Sequence, residues 1–356
     1  MISRKLGTST ATFLTYAVFS LLAVLKFAIM NFNGDAVVTL KNIQDARKAI
    51  APFIKCTPLV QSQFLSTFCG CSMFLKLENL QITSSFKPRG VFNKLLHLSA
   101  EEKNKGIITA SAGNHGQAVA FAAQKLNYYA RVVVPRTTPK IKIDGIKKYG
   151  ADLVLFGETY DEAELKAKEL ARKDGCAYIS PYNDELIIAG HGTIGLEIIE
   201  ALPNVDAVMV PLGGGGLISG ISIAIKSNRP EVQIIGVQSK LSPVMYESLK
   251  AGKLVDIQKA ETKSIAEGLS GNVGPITFEI VQKYVDRVVL VKEETLRHAV
   301  YLLWNYDKQV VEGSGAAAVA PVIENKPLFK GKMVASVVTG GNIDNDLFQS
   351  ILASER

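Results

Sequence analysis

From about Val37 onward, short apolar runs alternate with longer stretches in which apolar positions recur three or four residues apart. The first pattern is that of strands buried on both faces, the second that of amphipathic helices. Strands are predicted over 105–110, 130–135, 152–156, 207–211 and 233–237, and helices over 116–126, 138–149, 160–173 and 218–226. This alternation predicts an α/β fold with mostly parallel sheets covered by helices. In such folds ligands bind where strands end and helices begin. No internal repeat or low-complexity segment interrupts the pattern.

One stretch departs from it. Residues 6–25 carry no charge and are rich in large apolar side chains, with Arg4 and Lys5 before them and Lys26 after. That length is just enough to cross a bilayer. The basic start also resembles a signal peptide, although residues 27–35 offer no small-residue cleavage site. Translation from Met30 would remove the stretch altogether. Residues 1–33 are therefore read as a hydrophobic extension: an anchor, a signal or a start-site artefact. The expected localisation is cytoplasmic, with N-terminal membrane anchoring left open.

The 356 residues exceed one typical domain, and 47% are hydrophobic against 21% charged, as in an ordinary globular protein. The formal net charge of +7 is spread along the chain, which suits an anionic cofactor or substrate. No basic stripe with interleaved aromatics is present, and no nucleic-acid partner is expected. Cys56, Cys69, Cys71 and Cys176 are too few for a disulfide scaffold and match a reducing compartment. Cys69-Gly70-Cys71 has no second pair at zinc spacing, so it reads as ordinary buried thiols rather than a metal site.

Three segments carry candidate chemistry. In Ser85-Phe86-Lys87-Pro88, the proline suits the first turn of a helix and places Lys87 at its mouth. Apolar neighbours such as Phe86 would desolvate that lysine, lower its pKa and free an amine for Schiff-base chemistry; the plain alternative is a surface lysine. Ser111-Ala112-Gly113-Asn114-His115-Gly116 joins a strand to a helix, where backbone N–H groups can face an anion; the alternative is a tight turn with a helix cap. Gly213-Gly214-Gly215-Gly216 lies between strand and helix, where such conformational freedom is tolerated when a backbone must approach a ligand such as a phosphate. A dinucleotide loop is disfavoured by register: the sixth position is Ile218 counted from Gly213 and Ser219 from Gly214, and the next strand ends at Gln238 rather than an acid. No Lys-Ser/Thr follows the glycines, which excludes a P-loop.

Together with Thr339-Gly340-Gly341-Asn342 near the end, these motifs stand in the order found in fold-type II pyridoxal-5′-phosphate (PLP) enzymes. The chain resembles their serine/threonine dehydratase (threonine ammonia-lyase) and serine racemase branch over about residues 38–350. The resemblance implies a tryptophan-synthase-β-like fold: two open twisted α/β domains with PLP in the cleft between them. The large domain would comprise 34–105 plus 185–356 and the small one 106–184. It implies that Lys87 holds PLP covalently and serves as the catalytic base. Phe86, Asn114, Gly213, Gly214, Gly215, Gly216, Leu217 and Thr339 would bind the cofactor. Ser111, Gly113, Asn114 and His115 would receive the substrate carboxylate, largely through backbone amides.

The implied reaction is α,β-elimination of L-threonine, L-serine or a related 3-hydroxy amino acid, giving a 2-oxo acid and ammonia. Racemases of this branch place a serine where Ala112 stands, and alanine cannot deliver a proton, so elimination is favoured over racemisation. Serine racemase or another fold-type II activity is the alternative. Relatives that bind a divalent metal carry acids where this chain has Gln238 and Val244, so no metal is expected. A homo-oligomer is implied by resemblance. Glu312 is read either as a cofactor-side residue or as a helix cap, and His191 as packing.

Overall fold

In the computed structural model, which describes residues 37–256, 264–324 and 326–355, the apolar runs pair into two sheets. The strands in chain order are β1 (Leu59–Gln61), β2 (Ser72–Leu77), β3 (Ile107–Ala110), β4 (Ala130–Val134), β5 (Asp152–Leu155) and β6 (Ala177–Tyr178), followed by β7 (Ala207–Pro211), β8 (Gln233–Ser239), β9 (Arg287–Val291) and β10 (Met333–Val338). The larger sheet has the order β1-β2-β10-β7-β8-β9 and the smaller β5-β4-β3-β6. All pairings are parallel except the edge pair β1–β2. β3 and β7 are buried along their whole length, as expected of strands covered by helices on both faces.

Element boundaries moved where local capping decides them. The strand predicted from 105 begins at Ile107, because Ser99 and Glu102 cap each other reciprocally at a helix, Ala100–Lys105, that claims Lys105. The helices predicted from 116 and 218 begin two residues earlier, at Asn114 and Gly216, so the end of each loop motif opens the helix. The helix predicted over 138–149 is shortened to Lys140–Lys147 behind Pro139. Tyr160–Asp174 opens on a capping box between Thr159 and Glu162.

The larger sheet packs Leu75, Met209 and Val334 against Leu303, Val319 and Phe329. Cys69 and Cys71 lie in that core, Cys176 is buried at the smaller sheet, Cys56 is exposed, and none of the four forms a disulfide. The core on one face of the smaller sheet draws Val91, Phe92 and Leu95 from the Lys87–Leu96 helix as well as Ile107, Ala118 and Val132. Among the described residues no group of His, Cys, Asp or Glu could hold a metal ion, and no helix is long and apolar enough to cross a membrane. The apolar stretch 6–25 lies outside the described residues.

Candidate active site

Lys87 opens the Lys87–Leu96 helix, with Pro88 next to it and Phe86 as the preceding cap residue. The approach to it is strained. Thr83 and Ser84 have φ values of 61° and 56°, a region that costs a non-glycine residue of order 1–2 kcal/mol. The strain is held by the end of β10: Asn342 donates to the Thr83 carbonyl (2.9 Å), Gly341 N to Ser84 O (2.9 Å), and Phe86 N to Thr339 O (3.1 Å). Two distant motifs are thereby fused into one wall.

Behind that wall lies a buried charge cluster. Arg89, 0% exposed, forks onto Glu78 (2.8 Å for both contacts) and Glu197 (2.7 and 2.9 Å), and Lys76 joins Glu197. Burial alone would raise the Glu197 pKa; Arg89 and Lys76 reverse the effect. Two cations and two anions leave the cluster formally neutral, the condition under which buried charge persists.

Phe86, Lys87, residues 111–115, the 213–217 turn and Thr339 all line one cavity of about 500 Å³. Lys87 Nζ donates to the Pro181 carbonyl (2.8 Å) and lies 4.9 Å from the centre of the Phe86 ring. Burial lowers its pKa to about 8, against a smaller opposing pull from Glu312. A substantial neutral fraction near physiological pH makes this amine a competent nucleophile and base.

Two of the longer helices besides Lys87–Leu96 also open onto the cavity. The Asn114–Leu126 and Gly216–Lys226 helices both lack a side-chain cap, so their first-turn amides are available to anions. The Gly113 amide meets Ser111 Oγ at 3.2 Å. The glycine run is enforced by space. A Cβ on Gly214 would stand 2.5 Å from the Tyr182 ring, and one on Gly216 2.7 Å from the Tyr182 carbonyl oxygen; Gly215 has φ +93°. Thr277 Oγ1 donates to Gly214 O (2.7 Å) and steadies the turn from behind.

Burial and the neighbouring Lys87 charge lower the His115 pKa to about 3, and its Nε2 meets Ile179 O at 3.1 Å. It contributes a neutral ring and its backbone. His191 is likewise buried and held neutral, edge-on to Phe86 with ring centres 4.7 Å apart. Thr339 Oγ1 donates to Ser314 O at 3.3 Å. Gln238 lies in β8, where its Oε1 accepts from Tyr246 N (2.8 Å).

The structure adds groups that sequence reasoning missed or left open. Glu312 heads a short helix but makes no side-chain cap bond; its Oε1 accepts instead from Asn114 Nδ2 (2.6 Å). Burial raises its pKa to about 7, although the Asn114 hydrogen bond acts the other way. Tyr160 and Tyr182 line the cavity, and burial, with Glu164 nearby, keeps both phenols protonated. At the mouth Lys142 pairs with Glu267, 125 residues away. Tyr160 was visible only as a helix start, and no sequence signal links Lys142 to Glu267.

A lysine amine with a depressed pKa, two uncapped helix N-termini and a glycine turn that cannot accept a Cβ fit an aldehyde-bearing phosphate ester. Residues 50–340 match the model of the pyridoxal-phosphate dependent enzyme family. The chain is 46% identical over 317 residues to an L-threonine ammonia-lyase of Thermotoga maritima, covering 89% of this chain and 78% of that protein. It is 44% identical to a catabolic L-threonine dehydratase of Staphylococcus aureus, covering 86% and 90%. Among solved structures, processed threonine deaminase isoform 2 of Solanum lycopersicum superposes with a TM-score of 0.84 at 37% identity, covering 88% of this chain and 87% of that one. Maize serine racemase gives a TM-score of 0.84 at 32% identity, covering 89% and 98%. With the site's geometry and these matches in agreement, the chain belongs to the family of pyridoxal-phosphate dependent enzymes.

Proposed function

We propose that this protein catalyses α,β-elimination of L-threonine, L-serine or a closely related 3-hydroxy amino acid, releasing a 2-oxo acid and ammonia. The observation that carries it is Lys87, an amine with a pKa near 8 set in a cavity whose opposite anchor is an uncapped four-glycine turn. Likeness to the threonine ammonia-lyase and dehydratase supports the substrate class.

Bound PLP supplies the electron sink for the substrate α-carbon. Lys87 Nζ would hold the cofactor and, as a neutral amine lining the cavity, would be the base that takes the substrate α-proton. The amides of Gly213, Gly214, Gly215, Gly216 and Leu217 hold the phosphate; each charge-assisted bond contributes roughly 1.5–3 kcal/mol. Phe86 would pack beside the cofactor, and Asn114 would face its phenolic oxygen. Thr339, whose hydroxyl carries no charge, would stand at the pyridine nitrogen and leave it unprotonated, moderating the electron sink that the bound cofactor supplies. Ser111, Gly113, Asn114 and His115 receive the substrate carboxylate, with Gly113 N exchanging its Ser111 contact for the ligand. Ala112 offers no proton to the opposite face of the α-carbon, which favours elimination over racemisation.

Borohydride reduction and peptide mapping should label Lys87. Purified protein should form 2-oxobutyrate from L-threonine or pyruvate from L-serine, and Lys87→Ala should form neither. D-Serine produced without keto acid would instead support the racemase reading. The division into 34–105 plus 185–356 and 106–184, and a homo-oligomer, are part of the same proposal; limited proteolysis and sedimentation test them. Cytoplasmic residence is proposed as well, and fractionation of cells making the full chain tests it.

A further inference from the structure

The side chains around Asn114 form a chain whose polarity is fixed at one end by an atom that can only accept. Thr83 O is that atom, and Asn342 therefore turns its nitrogen toward it (2.9 Å). The same nitrogen reaches Asn114 Oδ1 at 2.7 Å, which spends both of its hydrogens. The Asn114 oxygen is thereby assigned, and its nitrogen faces Glu312 Oε1 at 2.6 Å. An amide nitrogen carries two hydrogens, so one N–H of Asn114 stays unspent at a residue lining the cavity.

A second observation points the same way. A Cβ at Gly340 would stand 2.2 Å from Glu312 Oε1 and 3.1 Å from Asn114 Nδ2. Glu312 N also donates to Gly340 O at 3.1 Å. The absence of a side chain at position 340 is what lets the carboxylate reach the carboxamide. Three separate segments, at Thr83, at Glu312 and at Gly340–Asn342, converge on one asparagine.

We infer that Glu312 and Asn342 are positioning residues that fix the orientation of the Asn114 carboxamide, so that Asn114 meets the cofactor only as a hydrogen-bond donor. This rests on the reading above that Asn114 faces the phenolic oxygen of the cofactor. A free asparagine side chain could present either its oxygen or its nitrogen. Here the oxygen is committed to Asn342, and Gly340 keeps the space through which Glu312 claims the nitrogen.

The test is a double-substitution cycle on cofactor retention. Cofactor-loaded protein is dialysed, and the dissociation constant is read from visible absorbance for the parent, Asn114→Ala, Asn342→Ala and the double variant. Each single change should weaken retention roughly tenfold, about one hydrogen bond, and the double variant should be no weaker than Asn114→Ala. The same cycle with Glu312→Ala serves if Asn342→Ala fails to fold. Glu312→Gln keeps an acceptor oxygen and should stay within about threefold of the parent, whereas Gly340→Ala should match Glu312→Ala. Parent-like retention in either single variant overturns the inference. So does a double variant in which the effects multiply to roughly a hundredfold, since Asn342 would then act independently of Asn114. Borohydride labelling separates the two readings. An unlabelled Lys87 in loaded parent protein defeats the assignment of the whole site, whereas a labelled Lys87 with multiplying effects defeats only this inference.

Discussion

Replacing Arg89 with methionine tests whether the cluster behind Lys87 is held by charge balance or by packing. Arg89 and Glu78 are 0% exposed, Lys76 1% and Glu197 8%. The guanidinium makes four contacts of 2.7–2.9 Å to the two carboxylates and also donates to Thr193 Oγ1 (3.1 Å). Methionine fills much of the volume but leaves Lys76, paired with Glu197, as the single cation against two acids, and Glu78 becomes an uncompensated negative charge in a dry interior. Stranding such a charge costs about 3–5 kcal/mol. A second change, Glu78→Gln, restores neutrality, because Lys76 and Glu197 remain as a pair. The double variant should therefore be more stable than Arg89→Met alone although it departs further from the parent. The assay is the thermal unfolding midpoint of the three proteins at about pH 7, and a second scan near pH 5 gives an independent check. In Arg89→Met the stranded carboxylate has a folded-state pKa above its unfolded value. Its penalty is present above that folded pKa and fades as pH falls toward the unfolded one, so the gap to the parent should narrow in acid. A double variant less stable than Arg89→Met, or a single variant within about 1 kcal/mol of the parent, would refute the charge-balance account.

Other outcomes follow from the site. Gly216→Ala should weaken cofactor retention more than Gly214→Ala, because its Cβ meets the Tyr182 backbone whereas the other meets only the Tyr182 side chain; overpacking of about 1–3 kcal/mol corresponds to roughly 5- to 150-fold in the dissociation constant, read by visible absorbance. Ionised Glu312 is disfavoured in the folded protein, with a penalty absent below about pH 4.5 and complete above about pH 7. Glu312→Gln should therefore raise the unfolding midpoint relative to the parent near pH 8 and change it little near pH 4.5; an equal shift at both would contradict the burial of that carboxyl.

The parts of the site built from contiguous residues were legible in the sequence. A strand-to-helix junction of small residues announces itself, and residues 111–116 and 213–217 do run from a strand end into the first turn of a helix, which starts at Asn114 and Gly216. Lys87 was marked by Pro88 and Phe86, which set its backbone and its surroundings. What escaped depends on residues far apart in the chain. Arg89 sits in the same motif as Lys87, yet its meaning comes from Glu78, Lys76 and Glu197, which no local pattern joins. Glu312 stayed ambiguous because a residue at the head of a short helix normally caps it; only the approach of Asn114 past Gly340 shows that its carboxylate is engaged elsewhere. The Lys142–Glu267 pair requires the two sheets to be assembled before it exists.

The Lys87–Leu96 helix is rooted in both halves of the fold. Its first turn is pinned through Arg89 to Glu78, just after β2, and to the helix bearing Glu197, while Val91, Phe92 and Leu95 belong to the core beneath the smaller sheet. A helix gripped at both ends by packed interior cannot slide or swing without disrupting one of the two, so the backbone that carries the reactive amine is fixed by far more of the chain than the 10 residues of its own helix.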